Sequence, residues 1–235
     1  MTPEVLNKYG FKNMHQFRNW RWFKGLGGGP IVDLGSHQID IFSWFLDAMP
    51  VSVMASGGTD YYDKKTHEWY DTVMAIYEYK TEQGPVRAFY QTLTTNSYNG
   101  YCETFMGDKG TLQISEAKGR GAVYPEPSAP EWDKWVKAGM ITKPAEKKVE
   151  KVENAALMDV RETPAPPAFE IPVEMKKKYH QPHLENFFDA VRSRGKIKLN
   201  CPGEIGYETA VMVLKVNEAV EAGRTLSFKP EEFKA

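Results

Sequence analysis

Asp33, His37 and Asp40 are the residues of this chain whose types and spacing are best suited to chemistry. Residues three and four apart on a helix lie one above another, so two carboxylates and an imidazole share one stripe. Such groups handle protons or hold polar ligands when they sit in a cleft, although most pairs at this spacing are solvated surface contacts. Their context favours a site. They follow the run Gly25-Leu26-Gly27-Gly28-Gly29-Pro30, where glycines let the backbone take positive φ and approach a ligand with no Cβ in the way. Gly28 and Gly29 are therefore candidate ligand-binding positions, and Pro30, with its fixed φ, suits a first helical position.

The element that must position these groups is a helix expected from Pro30 to the Ala48-Met49-Pro50 stop. Leu34, Ile41, Phe42, Phe45 and Leu46 on its other sides predict that it is largely buried, and with it Asp33 and His37. Ahead of it, Phe17, Trp20, Trp22 and Phe23 alternate with Arg18, Arg21 and Lys24. This cluster suits core packing with extended Arg stems, and Trp20 is also a candidate platform for a sugar ring.

Beyond Pro50 the pattern changes to period 2. Strands are expected at Val51 to Ser56, Trp69 to Tyr79, Val86 to Thr94, Tyr101 to Met106 and Thr111 to Ser115, joined by tight turns into one antiparallel sheet. Its many tyrosines suit cross-strand packing, or burial of a broad face against a second copy of the chain. Tyr98 and Tyr101, flanking Asn99-Gly100 at a strand end, are candidate ligand contacts. Residues 116–178, rich in Pro, Lys and Glu, read as an irregular surface excursion pinned by a short helix at Trp132 and Trp135. Helices then follow at Pro182 to Arg194, with Leu184, Phe187, Phe188 and Val191 as its apolar stripe, and at Glu204 to Ala222, before a last strand at Leu226 to Phe228. The fold class is α+β, an open antiparallel sheet with helices on one face.

Composition narrows the function. Thirty basic against thirty-one acidic residues give a net charge of −1, which removes the basic footprint of a nucleic-acid binder. No apolar run reaches the eighteen residues of a membrane span. Cys102 and Cys201 have no metal or disulfide spacing and read as buried free thiols. A zinc site from Asp33, His37, His180 and His183 has no recognised ligand spacing, so no metal is expected.

Several of these motifs together resemble the glucose-fructose oxidoreductase, inositol dehydrogenase and MocA group of NAD(P)-dependent sugar oxidoreductases. They are Gly27-Gly28-Gly29, Asp33-x-x-x-His37, the turn Gly107-Asp108-Lys109-Gly110-Thr111-Leu112, and the closing stretch His183-Leu184-Glu185-Asn186-Phe187-Phe188-Asp189-Ala190 through Asn200-Cys201-Pro202 to Tyr207-Glu208-Thr209-Ala210. The resemblance implies a sugar or polyol substrate, with His37 taking the hydroxyl proton and Asp33 holding hydroxyls and orienting the imidazole. The candidate substrate contacts beside them are Gly28, Gly29, Trp20, Tyr98, Tyr101 and His183.

The chain departs from that family in one respect. The strand, GxGxxG turn and helix of a dinucleotide domain are absent from the sequence, and so is the catalytic lysine carried at that domain's end. The whole of residues 1–235 is therefore expected to be the substrate-binding and oligomerising half, inactive alone, with NAD or NADP held by the missing half. Other readings are redox-assisted glycoside cleavage, or a non-catalytic sugar-binding or dimerisation module. The expected partners are a small sugar or polyol and a second copy through the sheet. The default compartment is the cytoplasm, or the periplasm if an export signal preceded Met1.

Overall fold

A computed structural model describes residues 1–98, 100–115, 119–144, 166–172 and 176–235. It groups into two compact units, Met1–Tyr98 with Asp189–Ala235, and Asn99–Phe188. The expected mixture of helices and antiparallel strands is present, but the strands divide between two sheets instead of forming one.

The first unit opens with short helices α1 (Pro3–Lys8) and α2 (Met14–Arg18) and a 3-10 turn at Trp20–Trp22. The expected long helix is broken into α3 (Pro30–Asp33) and α4 (Gly35–Leu46). At the break, the His37 amide bonds back only three residues, to the Leu34 carbonyl. Gly35 there lies so near the sheet that a Cβ would sit 3.0 Å from the Tyr90 ring. Asp47, in the left-handed region at φ 48°, ends α4 before Pro50.

The sheet has the order β3-β2-β1-β8, from β1 (Pro50–Gly58), β2 (Thr72–Thr81), β3 (Gly84–Leu93) and β8 (Leu226–Ser227). All its pairings are antiparallel. Period-2 alternation sorts β2 cleanly: Val73, Ala75, Tyr77 and Tyr79 are fully buried, while Met74 and Ile76 face outward. Helix α7 (Gly203–Ala222) covers the inner face with Met212, Val213, Val216 and Ala219, and α4 adds Ile39 and Phe42. Each of these Val, Ile, Met and Phe side chains stabilises the fold by about 1.5–3 kcal/mol.

Two of the tyrosines are thus core residues, not an outer platform. The Tyr77 hydroxyl donates to the Met212 carbonyl at 3.1 Å. Tyr79 lies 3.4 Å from the Ser43 hydroxyl, and burial pushes its phenol up to about 12. The outer face instead carries the cross-strand row Met54, Ile76 and Phe89, all exposed.

The second unit holds the sheet β4-β5-β6-β7, from β4 (Glu103–Met106), β5 (Gly110–Ile114), β6 (Ala122–Pro125) and β7 (Phe169–Glu170). The expected turn at 107–110 closes with the Gly107 amide on the Gly110 carbonyl. Gly110 has φ 156°, and a Cβ there would meet the Tyr124 carbonyl at 2.6 Å. The excursion read at 116–178 thus contributes two strands and α5 (Asp133–Lys137), with Trp132 packed on Phe169. The Lys/Glu run from 145 and Pro164 lie outside the described residues.

Helix α6 (Gln181–Arg192) begins in the second unit and ends in the first. Its stripe of Leu184, Phe187, Phe188 and Val191, expected in a core, is 45–60% exposed, and Ala190 is its buried residue. Cys102 and Cys201 are free thiols, the first half-buried and the second exposed instead of buried.

Candidate functional site

The glycine run has no side chains to anchor it, so other elements hold it by its carbonyls. The Trp69 indole donates to the Gly27 carbonyl, and the buried Asn217 of α7 donates from Nδ2 to the Gly28 carbonyl at 2.8 Å. The Gly29 carbonyl takes the amides of Val32 and Asp33, starting α3. The Asn217 Oδ1 is buried without a hydrogen-bond donor among the described residues.

Close approach explains the residue type. Gly29 has φ 77° and ψ −177°, a region reserved for glycine, and a Cβ there would lie 2.7 Å from Trp69 Cβ. A Cβ at Gly28 would lie 2.3 Å from a Val32 methyl. Gly29→Val is expected to destabilise the chain by about 3 kcal/mol, measured as a lowered urea midpoint. A midpoint within 0.2 M of the parent would refute this role for Gly29, at the typical ~1–3 kcal/mol/M slope of small domains.

Downstream of the run, α4 and α7 form the walls of a cleft of about 350 Å³ lined by Val32, Ser36, His37, Asp40, Cys201, Gly206, Thr209, Ala210 and Val213. That volume is in the range that holds a small molecule. Asp40 is fixed in it by Thr209, whose hydroxyl lies 2.6 Å from Asp40 Oδ1 and 3.1 Å from the Ile205 carbonyl. The single hydroxyl proton serves the shorter, charge-assisted contact. An imidazole, a carboxylate and the Ser36 hydroxyl thereby share one cleft.

Asp33 is placed differently from the sequence expectation. It is partly exposed, and its Oδ1 accepts a 2.7 Å hydrogen bond from Arg21 Nε. The Arg21 guanidinium lies 4.6 Å above the Trp20 ring. The helix break removes the strict i, i+4 geometry, and His37 is exposed instead of buried. Trp20 is 37% exposed and packs over Gly27, where a Cβ would meet its ring at 3.1 Å.

The cleft's lining comes entirely from the first unit. Tyr98 belongs to that unit and is 87% exposed. Tyr101, whose carbonyl accepts the Ser115 hydroxyl, and His183, in the first turn of α6, belong to the second. The residues missed by sequence reading are Asn217 and Thr209. Both are polar positions on the apolar face of α7, a signal visible in the helical periodicity.

Residues 5–113 match the model of the GFO/IDH/MocA C-terminal domain. This segment belongs to that family. Comparison of the sequence with curated proteins gives no match. Among solved structures, the chain is similar to an NAD-binding protein from Listeria innocua, with 21% identity, 89% of this chain and 54% of that one covered, and a TM-score of 0.58. It is similar to aldose-aldose oxidoreductase from Caulobacter crescentus complexed with glycerol, at 17% identity, 89% and 50% coverage and a TM-score of 0.58. It is also similar to myo-inositol 2-dehydrogenase from Lactobacillus plantarum, at 15% identity, 92% and 53% coverage and a TM-score of 0.54. The chain spans about half the length of these solved chains.

All strand pairings among the described residues are antiparallel, and the glycine run leaves a 3-10 turn and enters a four-residue helix. No group of three His, Cys, Asp or Glu among them is arranged to hold a metal ion, and no described helix is long and apolar enough to cross a membrane.

Proposed function

We propose that this chain is the substrate-binding half of an NAD(P)-dependent sugar or polyol oxidoreductase. The observation that carries this is the convergence of His37 and the Thr209-held Asp40 in one cleft of small-molecule size. Likeness to chains named for an aldose and for myo-inositol supports a polyhydroxylated substrate. In the reaction, a substrate hydroxyl gives its proton to His37 as hydride leaves the carbon bearing it, and the alcohol becomes a carbonyl. A nicotinamide held by a dinucleotide-binding domain would supply the acceptor for that hydride. Asp40 orients the substrate from inside the cleft, and Asp33 offers its Oδ2 to hydroxyls from the glycine-run side, with Gly28, Gly29 and Trp20 behind it.

The direct test is NAD- or NADP-linked oxidation of aldoses and inositols. The chain alone is expected to give no reduced nicotinamide, and the same chain joined to a dinucleotide-binding domain is expected to turn over. Failure of the joined protein on all such substrates would refute the proposal.

Self-association is proposed through the outer face of the first sheet, where Met54, Ile76 and Phe89 form an exposed apolar row beside the Glu78–Arg87 ion pair. Ile76→Lys combined with Phe89→Glu is expected to halve the mass seen by light scattering. An unchanged mass would exclude that face as the interface.

A further inference from the structure

The proposed reaction gives Asp33 a role and leaves its partner, Arg21, without one. Arg21 meets Asp33 with Nε alone, at 2.7 Å from Oδ1. The groups that would complete a bidentate pair, the Nη nitrogens and Oδ2, are left over, with no hydrogen-bond partner among the described residues. Both side chains are open to solvent, 49% and 37% exposed, so a ligand can reach this edge.

A surface guanidinium usually swings on a long flexible stem, but this one is held at two points. Asp33 fixes Nε, and the Trp20 ring lies against the guanidinium, with 4.6 Å between Cζ and the ring centroid. Trp20 is itself seated on Gly27, where a Cβ would come within 3.1 Å of the indole, and the Gly27 carbonyl is bonded by Trp69. The glycine run thereby holds the unused Nη edge in place, beside the carboxylate that comes one turn of chain before His37.

We infer that Arg21 and Asp33 together clamp two neighbouring hydroxyls of the substrate, and that Arg21 is a specificity-determining residue. An Nη–H of Arg21 donates to one hydroxyl oxygen, and Asp33 Oδ2 accepts a hydrogen bond from the other hydroxyl. The inference rests on the proposed oxidoreductase function and narrows its substrate to polyols that carry a vicinal diol. The chemistry of the pair selects this ligand. A hydroxyl both donates and accepts, so two side by side satisfy a donor edge next to an acceptor. A carboxylate would gain the Nη edge but would lie beside the Asp33 oxygen, whose charge already balances that of Arg21. A lone alcohol would leave one of the two groups unpaired, which a site built for hydrogen bonding disfavours. Trp20 is then a positioning residue that acts through Arg21, not a platform for the sugar ring itself.

The test uses the chain joined to a dinucleotide-binding domain. Its substrates are myo-inositol, D-glucose, the monodeoxy analogues of each that keep the reacting hydroxyl, and D-gluconate. Arg21→Met is expected to raise KM for the polyol about tenfold, the effect of one charge-assisted hydrogen bond, with kcat within about threefold of the parent. The analogue series decides the cause. The variant should lose nothing on the one analogue that lacks the hydroxyl held by Arg21 and should keep its penalty on the others, because an interaction already removed cannot be lost again. Arg21→Lys keeps the charge beside Asp33 without the planar edge and should show the same pattern. Trp20→Leu should penalise the same substrates and spare the same analogue, as expected of a residue acting through Arg21. A KM within about twofold of the parent for both Arg21 variants would overturn the clamp. So would an equal penalty on every analogue, which marks a structural role, or a penalty confined to D-gluconate, which marks an anion site. In each of these cases turnover of polyols by the parent leaves the oxidoreductase reading standing. Turnover of no polyol by the parent removes that reading and the clamp with it.

Discussion

Replacing Asp71 by alanine is expected to destabilise the first unit by about 4 kcal/mol, a large share of the roughly 5–15 kcal/mol that holds an ordinary domain folded. Asp71 is fully buried. Its Oδ2 accepts the amides of Tyr61 and Tyr62, both at 2.9 Å, and its Oδ1 accepts the Asp60 amide at 3.2 Å and the Thr72 hydroxyl at 3.1 Å. Its own amide bonds the Gly58 carbonyl at the end of β1, and its carbonyl takes the Thr94 amide just beyond β3. Alanine strips an acceptor from three part-buried backbone donors at once, and each one that water does not reach costs about 1–3 kcal/mol. Urea denaturation of the purified chain measures this, and a loss below 1 kcal/mol would show that water replaces the carboxylate.

The same group predicts an acid dependence. Burial by itself would raise the Asp71 carboxyl, but the amides of Tyr62, Tyr61 and Asp60 and the Thr72 hydroxyl outweigh it and hold it below the usual carboxylate range. A folded-state pKa below the unfolded value means that its contribution is complete above about pH 4, where the unfolded carboxyl ionises. It is lost as pH falls through the lower folded value. Asp71→Asn should therefore be less stable than the parent at pH 7, with the gap narrowing below pH 4. The defect would reach the site through a short path. Asp71 anchors one end of the 59–71 segment, which includes Trp69, and Trp69 holds the Gly27 carbonyl and packs against Gly29. The segment is also bonded to the Trp22 carbonyl by the amides of Glu68 and Trp69. The aromatic stretch at 17–24 thus serves as a support for that segment.

The strands and the long helix α7 were legible because period-2 and period-3.6 patterns follow directly from which side chains face a core, as in Val73, Ala75, Tyr77 and Tyr79. The glycine run was legible because the positive φ of Gly29 and the close approaches at Gly28 and Gly29 leave few residue choices. What the periodicity misjudged was partnership. Leu34, Phe187 and Val191 have the spacing of core residues, yet they are half exposed in the fold. An apolar stripe records that a surface is suited to burial and does not say which surface covers it. Nor does local spacing reveal bonds formed over long sequence separation. The Asp40–Thr209 and Gly28–Asn217 contacts join residues 169 and 189 positions apart, and Arg21 captures Asp33 through a turn no pattern announces. The division into two sheets was hidden for the same reason, since β6 and β7 are separated by a long segment of polar, proline-rich chain.

Under the proposed oxidoreductase function, His37→Ala in the chain joined to a dinucleotide-binding domain is expected to lower kcat about 10³-fold, the usual contribution of a positioned acid/base group. The exposed imidazole packs into no core, so the variant should fold as the parent does. The two carboxylates then separate by kinetics. Asp40 lines the cleft with His37 and is held by Thr209, so Asp40→Asn should lower kcat, and Thr209→Val should reproduce a smaller part of that loss by freeing the Asp40 side chain. Asp33 is engaged by Arg21 and is not part of the cleft lining, so Asp33→Asn should raise KM while leaving kcat within about threefold, the pattern of lost uniform binding. The reverse pattern, with kcat collapsing for Asp33→Asn and untouched for Asp40→Asn, would mean that Arg21 releases Asp33 when substrate and dinucleotide domain are both in place. It would move the working carboxylate to the glycine-run side of the site. Activity of His37→Ala within threefold of the parent would remove the imidazole from the proton path altogether.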